Sequence, residues 1–169
     1  MAYLKDQRRE TMMVEGSWNI GAYRYKGSTQ LQEYVDGLKE KKLIGSLCPG
    51  CGKVIVQPRN ICGRCHRRMD KRMVVSHQGT ITCFVISPPI EKGKYKIIGM
   101  DPVEAGIIKE GAILVPVFVR FDGADSNINT ILLNCPPEKV HIGMRVKAVF
   151  VENPEGKLSD LEGVEPLKE

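Results

Sequence analysis

Two Cys-x-x-Cys pairs stand close together in the segment CPGCGKVIVQPRNICGRC, residues 48–65. They are Cys48 with Cys51 and Cys62 with Cys65, and they account for four of the six cysteines in the chain. Four thiolates at about 2.3 Å complete the tetrahedral shell of Zn²⁺ and leave no open position for a water molecule. The spacing therefore predicts a structural metal site without hydrolytic chemistry.

Iron is the alternative metal for these cysteines, because four thiolates also hold the iron of a rubredoxin-type electron-transfer centre. The charged residues beside both pairs favour zinc, since a shielded redox iron needs a more apolar shell. An electron carrier of this kind would be red and would show a reversible one-electron couple. His66 follows Cys65 and could replace a thiolate, but four cysteines already suffice.

The other two cysteines, Cys83 and Cys135, stand alone on predicted strands, where a buried inert thiol is the usual outcome. A nucleophilic role would need a neighbouring base, for which His77 or His141 is the candidate. Nothing in the sequence brings either histidine beside either cysteine. We therefore expect no catalytic residue in this chain.

The basic residues of the chain are concentrated around the paired cysteines. Residues 39–72 carry ten basic and two acidic side chains, a net charge of +8, whereas residues 1–38 balance at zero and residues 73–169 carry ten and thirteen, a net charge of −3. The cluster comprises Arg59, Arg64, Arg67, Arg68, Lys71 and Arg72. Such a cluster attracts the phosphates of a nucleic acid or of a phosphorylated cofactor, or an acidic protein surface; a solvated basic face is the plain alternative.

Length and composition bound the class of protein. A chain of 169 residues with 42% hydrophobic and 27% charged residues is typical of a soluble globular protein, and we favour a small metal-stapled module beside one domain with its own core. No apolar run approaches the roughly 20 residues of a membrane helix. The N-terminal MAYLKDQRRETMMVEG lacks the apolar stretch of a secretory signal. We therefore expect a cytoplasmic protein, in which paired cysteines bind metal more often than they form disulfides.

Residues 1–42 are predicted to form an N-terminal arm and one helix. The arm holds Trp18 and two tyrosines among glycines, and the choice between packing on its own domain and docking on a partner stays open. Apolar residues then recur at helical spacing, which predicts a helix from about residue 29 to residue 42. Ser28 and Thr29 are the candidate N-caps, and Thr29 with Gln32 forms a capping-box pattern.

The rest of the chain is predicted to be mainly β. Residues 43–75 place the cysteines on short strands joined by turns, in which Gly50, Gly52 and Gly63 would ease positive φ or close approach. Residues 76–152 carry β-branched runs separated by turn formers, which predict a five-stranded antiparallel barrel or sandwich. The runs lie at 80–86, 95–100, 112–121, 129–134 and 145–151. Residues 153–169 are predicted to be a loosely ordered acidic tail.

The order of these pieces resembles the family known as domain of unknown function 35 (DUF35). The matching pieces are the four cysteines with Pro58-Arg59 between them, Gly79 opening the first barrel strand, a strand ending in FDG, and Ile142-Gly143-Met144 before the last strand. The resemblance covers about residues 28–151. It implies a helical lead-in, a rubredoxin-like zinc ribbon and a five-stranded OB-fold barrel.

The resemblance also implies a function by association, as the non-catalytic partner of a thiolase, a lipid-transfer-protein-like aldolase or a hydroxymethylglutaryl-CoA synthase. The ribbon and barrel would hold the subunits of a hetero-oligomer together, or help a thiolase-like catalytic subunit to bind CoA or acyl-CoA. The basic cluster is then the expected contact for the phosphates of CoA. The N-terminal VEGSWNIGAYRYKGS is similar to a thiolase component of anaerobic toluene breakdown, which implies thiolysis of a β-oxoacyl-CoA.

Binding of single-stranded nucleic acid is the alternative function, because OB barrels commonly bind strands in a basic groove lined with aromatics. The residues do not favour it, since residues 79–169 have a net charge of −3. The aromatic residues there are Phe84, Tyr95, Phe118, Phe121 and Phe150.

Overall fold

The computed structural model describes residues 28–96 and 99–167. Their elements are α1 (Thr29–Lys39), β1 (Leu43–Leu47), β2 (Val54–Ile55), β3 (Lys71–Val75), β4 (Gln78–Phe84), β5 (Pro116–Phe121), β6 (Ile128–Ile131), β7 (Arg145–Phe150) and β8 (Leu161–Pro166), with short 3₁₀ turns at Pro137–Lys139 and Leu158–Asp160. The arm predicted within residues 1–27 lies outside the described residues. Among the residues described, no helix has the length and apolar character that crossing a membrane requires.

Helix α1 begins at Thr29, as predicted, but its N-cap lies one residue before the Thr29 of the predicted capping box. Ser28, not Thr29, is the N-cap, and its hydroxyl accepts a hydrogen bond from the backbone N–H of Leu31 at 3.2 Å. The predicted pairing of Thr29 with Gln32 is therefore wrong. The helix ends at Lys39, short of residue 42, because the following residues turn back and donate their N–H groups to carbonyls of its last turn.

The cysteine segment forms a three-stranded antiparallel sheet in the order β2-β1-β3, against which α1 packs. Tyr34 and Leu38 of the helix and Leu43 of β1 are fully buried in this contact. Packing explains why position 37, inside the helix, is glycine, because a Cβ there would lie 2.6 Å from the side chain of Ile44. The close approach of helix to sheet therefore outweighs the helix propensity that glycine lacks.

The C-terminal strands form the predicted OB-fold barrel. The five-stranded antiparallel sheet has the order β6-β5-β4-β7-β8. A parallel bridge between Leu132 and Val164 joins its two ends, and the N–H of Leu133 donates to the carbonyl of Val164 at 2.7 Å. This closure removes the free sheet edges and gives the strand order of a five-stranded Greek-key barrel.

Strand β5 shows how the sequence fills the barrel. Val117, Val119 and Phe121 alternate inward and are buried, while Phe118 between them points outward and is exposed. Pro116 is the first residue of the strand, a position that tolerates its missing N–H. The strand predicted over 112–121 therefore begins four residues later than predicted, at Pro116.

Two of the sequence expectations for the barrel are wrong. The run at 95–100 adds no strand to the described barrel, and the fifth strand is β8, within the tail predicted to be loosely ordered. The buried Asp160 accounts for this order, because its carboxylate accepts N–H groups of Glu155, Gly156 and Lys157 at 3.2, 2.6 and 2.9 Å and so fixes the turn before β8. Burial alone would raise the pKa of Asp160, but these donors hold that pKa below its ordinary value.

The ribbon and the barrel are joined without a linker and share one continuous hydrophobic core. Val54 and Asp125 exchange two hydrogen bonds, from Val54 N to the Asp125 carboxylate at 2.9 Å and from Asp125 N to Val54 O at 2.8 Å. The Ser126 hydroxyl accepts from Val56 N at 2.8 Å and donates to Val56 O at 2.7 Å. The β5–β6 turn thus extends the edge of β2. The boundaries at residues 42, 75 and 152 stay a prediction.

We expect Ser126→Ala to lower the free energy of unfolding by about 1–3 kcal/mol, because both backbone groups of Val56 lose their partner. Urea unfolding of the metal-loaded protein, followed by circular dichroism, measures this. Ser159→Ala is the matched control, since Ser159 is exposed. Equal losses in the two variants would contradict a stabilising role for this junction.

Candidate metal centre and basic surface

The four paired cysteines converge on one point, as predicted. The sulfurs of Cys48, Cys51, Cys62 and Cys65 all lie within 4.8 Å of one another, with 3.3 Å between Cys48 and Cys65 and 3.7 Å between Cys51 and Cys62. Four sulfurs at the corners of a tetrahedron around zinc stand about 3.8 Å apart, given a Zn–S bond of about 2.3 Å. The donor set and its spacing therefore fit a tetrahedral tetrathiolate metal site.

Two similar turns present the sulfurs. In each, the N–H that follows the second cysteine donates to the carbonyl of the first, from Gly52 to Cys48 and from His66 to Cys62, both at 3.0 Å. Gly52 and His66 also share a left-handed backbone, with φ of 70° and 55°. The two Cys-x-x-Cys pairs are thus equivalent halves of one site, and His66 serves as a turn residue beside the thiolate that it follows.

The three glycines of these turns have different roles. Gly52 alone of the three has positive φ. Gly50 is required by close approach, since a Cβ would lie 2.8 Å from Arg67 Cγ and 3.1 Å from Cys65 Sγ. A Cβ on Gly63 would meet open space, so the expectation for that glycine is wrong.

The surroundings of the site lower the pKa of one thiol and raise the pKa of another. Burial disfavours the Cys48 thiolate, but hydrogen bonds from the backbone N–H of Cys51, the thiol of Cys65 and the backbone N–H of Gly50 together lower the pKa of Cys48 to about 6. At Cys65 the N–H of Arg67 favours the thiolate, yet the adjacent sulfurs, Cys48 first, raise the pKa of Cys65 to about 11. Four thiolates side by side need a cation, so metal binding and full ionisation of the cysteines go together.

The apolar support of this site is small. Met69 is fully buried and packs with Cys48 and Cys62, while Ile55 lies at the edge of the same cluster. A cluster of this size buries too little apolar area to order the turns alone. The thiolates and their ion therefore take the place of a core at this end of the ribbon.

Two of the six basic candidates are engaged within the chain. Arg72 is half-buried, pairs with Glu33 of α1, and donates to Ser46 Oγ at 3.1 Å and to Met69 O at 2.7 Å. Its guanidinium therefore ties the helix to the ribbon sheet. Arg68 pairs with Asp70 at 2.8 Å on the surface.

The other four basic candidates are exposed on the ribbon. They are Arg59, Arg64, Arg67 and Lys71. Within the described ranges no acidic side chain pairs with them. Lys71 and the Arg68–Asp70 pair border a cleft of about 270 Å³ with Leu47 and Pro49. Among the described residues the ribbon thus presents an excess of positive charge.

The lone cysteines do not form a catalytic pair with histidine in the part of the chain that is described. Cys83 is exposed on β4, so the expectation of a buried thiol is wrong there, and Cys135 is half-buried with its Sγ 3.5 Å from a backbone carbonyl. The ring of His77 contacts that of Phe150, with centroids 5.1 Å apart and the ring planes tilted by 60°. The Nδ1 atom of His141 lies 3.1 Å from the backbone carbonyl oxygen of Ile142.

Comparison with known proteins gives one consistent architecture. A family profile described as "ChsH2, rubredoxin-like zinc ribbon domain" matches residues 35–70. A DUF35 domain-containing scaffold protein of Methanocaldococcus jannaschii is 28% identical over 109 residues, which are 64% of this chain and 67% of that protein.

Two solved structures share the fold. One is a DUF35-family protein of unknown function from Sulfolobus solfataricus, with a TM-score of 0.56, 15% identity and coverage of 82% of this chain and 84% of that one. The other is described as the Ltp2-ChsH2(DUF35) aldolase, with a TM-score of 0.54, 16% identity and coverage of 85% and 98%. At these identities the structural likeness shows the fold.

We expect one equivalent of zinc per chain and colourless protein, because the site is closed by four sulfurs. Cys62→Ser should abolish stoichiometric binding and unfold the ribbon, since metal binding and local folding are coupled. Elemental analysis and thermal unfolding measure both. Cys83→Ser is the control, because Cys83 is an exposed thiol outside the site. A red protein that contains iron would contradict the zinc assignment.

Because His66 and Gly52 both have positive φ, we expect substitutions at these two positions to change the free energy of unfolding in opposite directions. His66→Gly should leave the free energy of unfolding unchanged or raise it by up to about 1 kcal/mol, because glycine adopts positive φ without a Cβ clash. Gly52→Ala at the equivalent position should lower it by about 1–2 kcal/mol. Denaturant titration of the zinc-loaded variants compares them. A large loss in His66→Gly would show that the imidazole has a further role.

Proposed function

We propose that this chain, whose residues 35–70 match the ChsH2 zinc-ribbon profile and whose fold is shared with DUF35 proteins, is a non-catalytic accessory subunit of an acyl-CoA enzyme complex. The observation that carries the proposal is the closed tetrathiolate site beside exposed basic side chains on the ribbon surface, four of which have no acidic partner among the described residues. Such a site stabilises a surface and has no position at which a substrate could meet the metal. The chemistry is then performed by another subunit.

The similar proteins support an assembly role. One relative carries the name of a scaffold protein, and one structural neighbour is an aldolase named after two components, Ltp2 and ChsH2. By this likeness we take the partner of the present chain to be an acyl-CoA-processing enzyme. Our finer proposal is a thiolase-type catalytic subunit in a hetero-oligomer.

The proposed reaction of that complex is thiolysis of a β-oxoacyl-CoA. The narrower similarity of VEGSWNIGAYRYKGS to the small subunit of benzoylsuccinyl-CoA thiolase supports this choice and connects it with toluene degradation. All but the last residue of that segment lie outside the described residues. Thiolysis needs a cysteine nucleophile and a base, which the catalytic subunit would supply.

We further propose that CoA or acyl-CoA contacts the ribbon surface. CoA carries a diphosphate and a 3′-phosphate, and arginine forms charge-assisted hydrogen bonds to phosphate oxygens. The contact residues are the exposed Arg59, Arg64, Arg67 and Lys71. Arg72, included in the cluster on sequence grounds, is held by Glu33, Ser46 and Met69 and ties the helix to the ribbon sheet. Arg68, also included, makes an exposed ion pair with Asp70.

One observation favours the alternative of single-stranded nucleic acid. Phe118 and Arg120 lie on the outer face of β5, where an OB barrel can stack a base and contact a phosphate. The residues opposite Phe118 are Cys83 and Asn129, so this row offers one aromatic side chain. Binding of the isolated chain to an oligonucleotide, with a steep loss at higher salt, would favour this alternative.

Affinity purification of the tagged chain from its native host tests the proposal. A stoichiometric acyl-CoA enzyme subunit, identified by mass spectrometry, is the expected result and would also name the reaction. Recovery of nucleic acid, or of the chain alone at moderate salt, would refute the accessory-subunit role.

We expect Arg64→Ala with Arg67→Ala to weaken CoA binding by the assembled complex at least tenfold, because each charge-assisted hydrogen bond contributes about 1.5–3 kcal/mol. Isothermal titration with CoA measures the affinity. Arg120→Ala is the matched control, since Arg120 is an exposed arginine on the barrel. Unchanged affinity in the double variant would remove the ribbon from the CoA site.

A further inference from the structure

The four cysteines of the metal site differ in their access to solvent. Cys48 and Cys62, the first cysteine of each turn, are buried, whereas Cys51 and Cys65, the second of each turn, are half-buried. A reagent from solvent therefore reaches the sulfurs of Cys51 and Cys65 first. Oxidation of a cysteine to a sulfenic acid depends on this access, and it leads to a disulfide where a second thiol is in contact.

Each half-buried sulfur faces a buried sulfur of the opposite turn. The Sγ atoms of Cys48 and Cys65 are 3.3 Å apart and those of Cys51 and Cys62 are 3.7 Å apart, in both cases in hydrogen-bonding geometry. A disulfide needs about 2.05 Å between its sulfurs, so each pair has to close by roughly 1–2 Å. The quartet thus consists of two pairs, each with one accessible sulfur and one sheltered partner.

The two lone cysteines lack this arrangement in the part of the chain that the structure describes. Cys83 is exposed on β4, and the Sγ of Cys135 contacts a backbone carbonyl oxygen. Neither belongs to the group of closely spaced ligand atoms. Cys83 therefore provides an internal comparison, as an accessible thiol outside the quartet.

Disulfides between the two turns would hold the ribbon together without an ion. Cys48 and Cys65 are 17 positions apart in the sequence and Cys51 and Cys62 are 11 apart, whereas the cysteines of one turn are 3 apart. A disulfide restricts the unfolded chain more when it closes a longer loop. Bonds between the turns can therefore replace the ion in a segment whose apolar cluster is small.

Such an exchange changes the charge of the ribbon. Residues 39–72 carry +8 when the cysteines are counted as neutral, and a divalent ion with four thiolates contributes −2. The metal-loaded segment therefore carries +6 and the disulfide form +8. The change falls within the basic surface, since a Cβ on Gly50 would lie 3.1 Å from Cys65 Sγ and 2.8 Å from Arg67 Cγ.

We propose that the cysteine quartet is a peroxide-sensitive site, at which the four thiolates become two disulfides, Cys48–Cys65 and Cys51–Cys62, and release their ion. In each pair one thiolate attacks an oxygen of hydrogen peroxide and breaks the O–O bond, which gives a sulfenic acid. The partner thiolate then displaces the hydroxyl group of that sulfenic acid. Each disulfide consumes one peroxide, which accepts two electrons from the sulfurs and leaves, with two protons, as two water molecules.

The exchange also regulates the attraction of the ribbon for anions. The disulfide form remains folded and carries two more positive charges, so it holds a phosphorylated ligand more tightly at low salt. This consequence rests on the function proposed above, because it takes CoA as the ligand. The exchange itself depends on the four cysteines alone.

Titration of the zinc-loaded chain with hydrogen peroxide tests the exchange. A chromogenic chelator measures the zinc released, and we expect one zinc for two equivalents of peroxide. Trypsin leaves the first cysteine pair on one peptide, 43–53, and separates the second pair into 60–64 and 65–67. Bonds between the turns join all three peptides in one species, whereas bonds within the turns leave 43–53 alone. Mass spectrometry distinguishes the two results, and fragmentation assigns the bonds.

The fold and the charge of the product are measured on the same samples. The oxidised chain should keep the circular dichroism of the zinc-loaded chain, whereas reduced chain stripped of zinc should lose part of it. Capillary electrophoresis should show a net charge higher by two. Dithiothreitol with zinc should reverse both changes. Cys83→Ser is the matched control, because it removes an exposed thiol outside the quartet and should give the same stoichiometry and the same bonds.

Several results would overturn the peroxide-sensitive site. They are retention of zinc, bonds within the turns, sulfonic acids in place of disulfides, and an oxidised chain that is unfolded.

The regulatory consequence has a separate readout, the affinity of the assembled complex for CoA, measured by isothermal titration before and after oxidation. We expect the oxidised form to bind at least about twofold more tightly at low salt and equally at high salt. Equal affinities at low salt would overturn the regulation and leave the exchange intact. A complex that binds no CoA in either form would overturn the proposed CoA contact, while zinc release and the bond assignment would still decide the exchange.

Discussion

Four sulfurs within 4.8 Å of one another are the constraint on which the ribbon depends. The thiols cannot all ionise side by side without a cation, and Met69 alone cannot replace the ion as a core. A divalent ion with four thiolates carries a charge of −2. The +8 of residues 39–72 counts the cysteines as neutral, so a loaded ribbon segment retains +6. The basic side chains therefore balance the metal cluster and still leave a positive surface.

A few polar contacts connect the ribbon, which holds the metal site, to the helix and to the barrel. Arg72 connects the ribbon sheet to Glu33 on the helix, and Ser126 connects the edge of β2 to the barrel turn. Between these contacts the hydrophobic core runs without interruption from the helix into the barrel. The ribbon surface and the barrel are consequently parts of one frame.

Local signals in the sequence are sufficient to predict the metal site and most of the barrel. The spacing of the cysteines predicts by itself that four sulfurs can meet at one point. The alternation of apolar and polar residues predicts a strand such as β5, whose buried and exposed side chains alternate. Features that depend on distant partners escape such prediction. Strand β8 resembles a loose tail in sequence because its order comes from the buried Asp160 and from pairing with β7. The apolar run at 95–100 has strand composition, but its described residues join none of the five strands of the barrel. The pairing of Arg72 with Glu33 likewise depends on tertiary structure.

The basic side chains of the ribbon act through a long-ranged force. Attraction between them and an anionic group is screened by salt over about 10 Å at 0.1 M. The barrel does not add to this attraction, because residues 73–169 carry a net charge of −3 whereas residues 39–72 carry +8. A phosphorylated ligand that meets this chain would therefore be drawn to the ribbon rather than to the barrel.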